Sequence, residues 1–369
     1  MTANNHSRRS ILGALSAVGA AGIGISLTGL AGCTAPKPTA KRINFYNWDT
    51  YIGETTLEDF KGKAGIDVNM SLFANNDELF AKMKAGNSGF DVIMPSNDFV
   101  TRLSQSGLIQ ALDHSKIPNI KNIDPSFMDP AFDPGRKFSL PYTWLTLGIG
   151  YRKSKMPAGF TPDSWKYVFE SNQFKKRISW LGESGDLIRL CIKYLGGSLD
   201  NITPELLAKA EEVLTKQVKG GNILNFHSDD GQDILMRGDV DLVIEYNGDM
   251  AQKNSEDPDM AFVIPKEGSQ LNSDCMAIPT DSKNVAEAHA FIDYLLDAEA
   301  GAKIADYIQY GTPNSAAKAL MSDSYKNNPI IFPPPEILAR CEYAPFPGAE
   351  MSQKFEEIIS RVRAAGGMG

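Results

Sequence analysis

The sequence predicts an α/β protein of two lobes, each a mostly parallel sheet flanked by helices, facing one another across a cleft. Three observations carry this. Residues 43–94 run strand, helix, strand, helix, strand by hydrophobic period, the signature of a parallel sheet with crossover connections. A second series of the same kind begins near Thr161. Acids and aromatics recur where strands of both series end, which is where open α/β sheets bind ligands.

The first series opens on Ile43-Asn44-Phe45-Tyr46, which alternates as a short strand does. Trp48, Asp49, Thr50 and Tyr51 follow: two π-faces, a carboxylate and a hydroxyl at a strand end. Thr56-x-x-Asp59 has the form of a capping box, and Leu57, Phe60 and Ala64 fall on one helical face. Residues 65–70 alternate as a second strand. Asp77 to Ala85 is amphipathic, with Gly86 placed to terminate it. Asp91 to Met94 is a third strand, stopped by Pro95. Ser96 is placed to cap the helix that Phe99, Leu103 and Leu108 suggest, and Asp98 to face the cleft. Pro141-Tyr142-Thr143-Trp144 leads into the apolar run Leu145 to Tyr151, which carries the chain out of the first lobe.

In the second series, Trp165 and Phe169 suggest a short helix, and Ile178 to Leu181 a strand. Glu183 and Asp186 then suit the first turn of a helix bearing Leu187, Leu190, Cys191, Tyr194 and Leu195. Thr203-Pro204 opens a helix that reaches Lys219. Asp239 to Ile244 reads as a strand that ends in Glu245-Tyr246-Asn247-Gly248-Asp249. Asp274 to Pro279 reads as a strand beginning at an acid, and helices follow over Val285–Leu296 and Glu299–Tyr307. Each series has about the length of a domain, ~110–130 residues.

The 369-residue chain begins with a targeting pattern. Arg8-Arg9 precedes an apolar stretch from Ile11 to Leu30, as in a twin-arginine export signal, and Leu30-Ala31-Gly32-Cys33 matches a bacterial lipobox. Residues 1–32 are therefore expected to be removed, with Cys33 lipidated and 33–40 serving as spacer. The removed segment carries Arg8, Arg9 and no acid, so the net charge of −8 becomes −10. That balance argues against nucleic acid and anionic membrane surfaces as partners. Cys191, Cys275 and Cys341 fit no zinc spacing, and His114, His227 and His289 are scattered, so neither a metal site nor a cofactor is expected. One disulfide among the three cysteines is left open.

Five stretches together carry a family resemblance: Tyr46-Asn47-Trp48-x-x-Tyr51, Gly89-Phe90-Asp91-Val92-Ile93-Met94-Pro95-Ser96, Pro141-Tyr142-x-Trp144, Ile264-Pro265-Lys266-Glu267-Gly268 and Tyr310-Gly311-Thr312-Pro313-Asn314. In order and spacing the chain resembles the spermidine/putrescine-binding proteins of bacterial ABC importers. The resemblance implies a two-lobed periplasmic binding fold with discontinuous lobes, 41–148 plus 273–321 and 149–272 plus 322–369. With the lipobox, it implies a monomeric, lipid-tethered protein at the periplasmic or cell-envelope face that hands a polyamine to permease subunits and is not an enzyme. Carried over position by position, Trp48 matches the family's aromatic stacking platform, and Asp49, Thr50 and Tyr51 its polar neighbours. Ser96 and Asp98 follow the third strand, Asp98 standing where the family has Tyr or Ser. Glu183 and Asp186 match paired acids that meet one ligand amine, Tyr246 a position usually Trp, Asp249 an acid of putrescine binders, Asp274 the central acid and Tyr310 the late tyrosine. Asn272 occupies a position that is aromatic in the family.

The chemistry agrees. A polyamine has apolar methylenes, which favour flat hydrophobic walls, and ammonium groups, which favour carboxylates and aromatic faces. Asp49, Asp98, Glu183, Asp186, Asp249 and Asp274 exceed what a diamine requires. The surplus points either to a ligand with more than two amines or to acids paired with waters or lobe-bridging groups. The alternative reading is the same fold binding another cationic amine or an amino-acid-like solute. A ferric-iron site would require paired tyrosines, and Tyr310 has no Tyr beside it in sequence. No Gly-x-Ser-x-Gly, His-Glu-x-x-His or phosphate loop supports an enzyme.

Overall fold

Alternating apolar residues place β1 (Lys41–Asn47) at the heart of the first half of the sheet, with Ile43 and Phe45 fully buried. The structure is a computed structural model that describes residues 41–228 and 230–368. The expected export signal, lipobox and Cys33 lie outside the described residues.

The remaining strands are β2 (Ile66–Leu72), β3 (Val92–Ile93), β4 (Ser139–Arg152), β5 (Ile178–Leu181), β6 (Ile223–His227), β7 (Leu242–Tyr246), β8 (Met260–Val263), β9 (Gln270–Ala277) and β10 (Glu342–Tyr343). They form one mixed sheet of order β2-β1-β3-β9-β4-β7-β5-β6, with β10 beside β9 and β8 beside β4. The outer strands β2, β1 and β3 pair in parallel, as do β6, β5 and β7. The centre is antiparallel, through β3–β9, β9–β4 and β4–β7. Strand β4 joins the halves: Ser139 to Thr146 pair with β9, and Leu147 to Tyr151 with β7.

Three sequence expectations about the centre change. Pro141 does not precede a strand but lies inside β4, at a register shift between Pro141 and Thr143. A bulge is where a sheet tolerates a residue without an N–H. Asp274 does not begin a strand. It sits inside β9, because Gln270 to Ser273 extend the strand backwards through a mostly polar stretch that the apolar pattern did not reveal. In the same way β7 runs through Glu245 and Tyr246 rather than ending at Ile244.

The helices follow local chemistry. Thr203 caps helix Pro204–Lys219 by accepting from Leu206 N at 3.2 Å. Asn75 caps helix Asn76–Lys84, and Gly86, with φ +73°, follows its end. The expected box at Thr56 is displaced by one residue: Thr56 is already helical and buried, and the Thr55 hydroxyl donates to Asp59 Oδ2 at 2.9 Å. Two large cores result. One gathers Ile43, Phe45, Met276 and Phe291, and the other Ile149, Trp165, Trp180, Ile244 and Phe355. The tail helix Ala349–Ala365 closes the second core with Phe355, Ile358, Ile359 and Val362. Cys191, Cys275 and Cys341 are free thiols.

Candidate functional site

A cavity of about 530 Å³ opens between the two halves of the sheet. Every expected ligand contact, from Trp48 through Asp274 to Tyr310, lines it. The loop after β1 supplies Trp48 to Tyr51. There Thr50 holds φ +51°, a region uncommon for a β-branched residue and characteristic of functional loops. The Trp48 indole is half-buried: its N–H donates to Met94 O at 2.9 Å and its ring leans on Phe73 at 4.3 Å. Asp49 and Thr50 are exposed at the rim, where the Asp49 carboxylate accepts from Thr50 N.

Asp274 is held by two hydroxyls. Its two oxygens accept from Tyr51 Oη at 2.8 Å and Ser96 Oγ at 2.7 Å. Ser96 does occupy the N-cap position, but its hydroxyl faces Asp274 instead of capping the helix, and Asn76 secures it from the other side at 3.0 Å. Burial pushes the Asp274 carboxyl up to about 6 against these two hydrogen bonds. Tyr51 also lies edge-on to Tyr310, with ring centroids 5.0 Å apart, so Tyr310 does have a tyrosine neighbour in space. The Tyr51 hydroxyl is committed to Asp274 and Thr143.

Across the cavity, helix Ser184–Tyr194 begins at Glu183. Asp186 accepts from Gln270 Nε2 at 2.7 Å and Tyr246 Oη at 2.9 Å. Glu183 has no side-chain hydrogen bond among the described residues. Burial, then the charges of Asp186, Asp77 and Asp98, push it up to about 8, against the pull of Arg189. Asp186 is raised as well, chiefly by burial. Asn272 packs polar, accepting from Gln270 Nε2 at 2.7 Å, so one wall that could be aromatic is an amide. Gly248 lies so close to Tyr310 that a Cβ would stand 2.2 Å from the ring, which only glycine allows. Tyr310 itself is buried and hydrogen-bonded to Asp249.

Several lining residues carried no readable signal. Arg189 pairs with Asp98 at 3.2 Å and lies 3.8 Å from Asp186. The i, i+3 spacing of Asp186 and Arg189 was the available clue. Phe226 and His227 enter on β6, whose apolar residues are interrupted by Asn225, and Phe355 and Arg363 on the tail helix. Beside the cavity His227 and Glu245 are buried 3.6 Å apart, and burial holds the imidazole down at about 4 and the carboxyl well above its usual range. Asp98 is thus not an open acid: the guanidinium of Arg189 already compensates it.

The sequence matches the family model of bacterial extracellular solute-binding proteins over residues 55–333. The chain belongs to this family. Among curated relatives, the putrescine-binding periplasmic protein of Pseudomonas aeruginosa is 34% identical, the match covering 86% of this chain and 90% of that one. The putrescine-binding periplasmic protein of Escherichia coli is 33% identical, over 81% and 85% of the two chains. Among solved structures, a chain from Listeria monocytogenes superposes with TM-score 0.83 at 31% identity, covering 88% of this chain and 99% of its own. The spermidine/putrescine ABC transporter substrate-binding protein of Streptococcus pneumoniae superposes with TM-score 0.76 at 29% identity, covering 88% and 99%. In this solute-binding protein the cavity combines carboxylates with aromatic faces, and burial raises Glu183, Asp186 and Asp274 above the ordinary carboxylate range.

Proposed function

We propose that this solute-binding protein captures a polyamine, putrescine or spermidine, and delivers it to the permease of an ABC importer, without catalysing a reaction. One observation carries this reading: Asp186, Glu183 and Asp274 surround a single cavity with Trp48, Tyr246 and Tyr310, and burial raises all three acids. A buried carboxylate cluster of this kind is stabilised by ligand ammonium groups, and the aromatic faces suit methylenes and cations alike. The names of the relatives support the same ligand class.

The lobes are 41–148 plus 273–321 and 149–272 plus 322–369, with the cavity between them. The separate cores and the shared strand β4 support this division. Closure about β4 would present both lobes to the permease. The protein is a lipid-anchored monomer of the cell envelope, exported by its twin-arginine signal and tethered at Cys33. Cys33→Ser is expected to move it from the membrane pellet to the soluble fraction, and unchanged partitioning would show the N-terminal segment itself to be the anchor.

Mass spectrometry of small molecules released on denaturing protein purified without added amines tests the ligand class. Putrescine or spermidine in stoichiometric amount is expected. An anionic or uncharged solute in that amount would refute the assignment, and a different organic cation would retain the site and change the ligand.

A further inference from the structure

Three arginines line the cavity. Arg102 pairs with Asp77 at 2.7 Å and stacks on Phe80, while Arg363 donates to Gly182 O at 3.0 Å. Arg189 alone of the three is bonded to an acid expected to meet ligand. One terminal nitrogen reaches Asp98 Oδ2 at 3.2 Å and stands 3.8 Å from Asp186 Oδ1, and the other donates to Pro345 O at 3.1 Å. The guanidinium lies over the Phe355 ring at 5.9 Å, and its side chain is only 4% exposed. Asp98 belongs to helix Asn97–Gln105, which packs near β9, and Arg189 to helix Ser184–Tyr194, which packs on β5, so the pair bridges the cavity from one half of the sheet to the other.

We propose that Arg189 is a built-in cation that fills the subsite a third ligand ammonium would otherwise occupy, and that it thereby restricts the cavity to diamines. This rests on the polyamine reading above. Volume does not make the selection, because about 530 Å³ accommodates either amine. Charge does. Asp98 is neutralised by Arg189 and Asp186 is partly shared with it, which takes that end of the cavity out of use and leaves Glu183, Asp249 and Asp274 inside the cavity and Asp49 at its rim. A third ammonium near Asp98 would face a guanidinium held by two walls and by the Pro345 carbonyl. Part of the apparent surplus of acids is therefore satisfied from within the chain.

Calorimetric titration of putrescine and spermidine into wild type, Arg189→Met, Asp98→Asn and the double variant tests this. Wild type is expected to prefer putrescine. Arg189→Met keeps the packing volume against Phe355 but frees Asp98, and should shift the affinity ratio toward spermidine by about tenfold or more. Asp98→Asn should act in the opposite direction, because the guanidinium stays and loses its nearest acid: both amines weaken, spermidine more. The double variant should return to the putrescine preference. A merely structural bridge would weaken both ligands equally in every variant, and an unchanged ratio overturns the proposal while leaving the polyamine site intact. Wild-type preference for spermidine overturns it as well. Failure of wild type to bind either amine would instead refute the polyamine reading on which the proposal depends. If Arg189→Met does not fold, Asp98→Asn carries the test alone, and a ratio equal to that of wild type overturns the proposal.

Discussion

Asp274→Asn weakens putrescine binding by ~2–5 kcal/mol, mainly through faster release. The substitution keeps the shape of the side chain and removes one charge. A ligand ammonium beside it would then keep its desolvation cost and lose its main compensation. The folded protein should tolerate the change better than the ligand does. Asp274 accepts from Tyr51 and Ser96, and an amide oxygen can keep one of these hydroxyls while the other rotates. The free variant should therefore lose only ~1 kcal/mol of stability, measured by urea unfolding. Calorimetric affinity equal to wild type would place the ligand elsewhere.

Glu183→Gln has two opposed effects, and their opposition is diagnostic. Putrescine affinity falls by a similar ~2–5 kcal/mol, because the second charged contact is lost. The ligand-free protein gains stability at alkaline pH. Glu183 is held near 8 in the folded state against an ordinary value of 4.5, so the native state binds this proton more tightly than the unfolded chain. The favourable contribution is fully present below the unfolded value and is lost as pH rises through about 8. Wild type should thus weaken over that window while the glutamine variant, which carries no titrating group there, does not. At pH 8–9 the variant should be more stable by ~1–3 kcal/mol, allowing for water in the cavity, and near pH 4 the two should be equal. Parallel stability profiles from pH 4 to 9 would show that Glu183 is not desolvated.

Much of the fold could be read where apolar period and end signals coincide, as at Thr203-Pro204, at Gly86 after its helix, and along Ile43 and Phe45 of β1. It was illegible where tertiary pairing overrides pattern. The mostly polar run Gln270 to Ser273 is strand because β4 and β10 pair with it, and Pro141 is tolerated inside β4 at a register shift. The tail helix has a regular apolar stripe but no strand context to assign it, and its Phe355 and Arg363 reach the cavity unannounced. The candidate site was legible as a set of residue types near strand ends. Its charge balance was not, because the Asp98–Arg189 pair joins residues 91 positions apart on two helices. Nor could local sequence show that Ser96 turns from its cap toward Asp274, a contact across 178 positions.

Calorimetric titration of putrescine at pH 7 in two buffers of different ionisation enthalpy tests whether the ligand ammoniums meet these buried acids, because it counts the protons exchanged on binding. Glu183, held near 8, is largely protonated in the free cavity, and Asp274, near 6, is partly so. An arriving ammonium favours both carboxylates, while the amine keeps its own proton. Tight binding is expected, with release of about one proton per ligand, falling toward zero in Glu183→Gln. Absence of binding, or binding with no proton release, would contradict that contact.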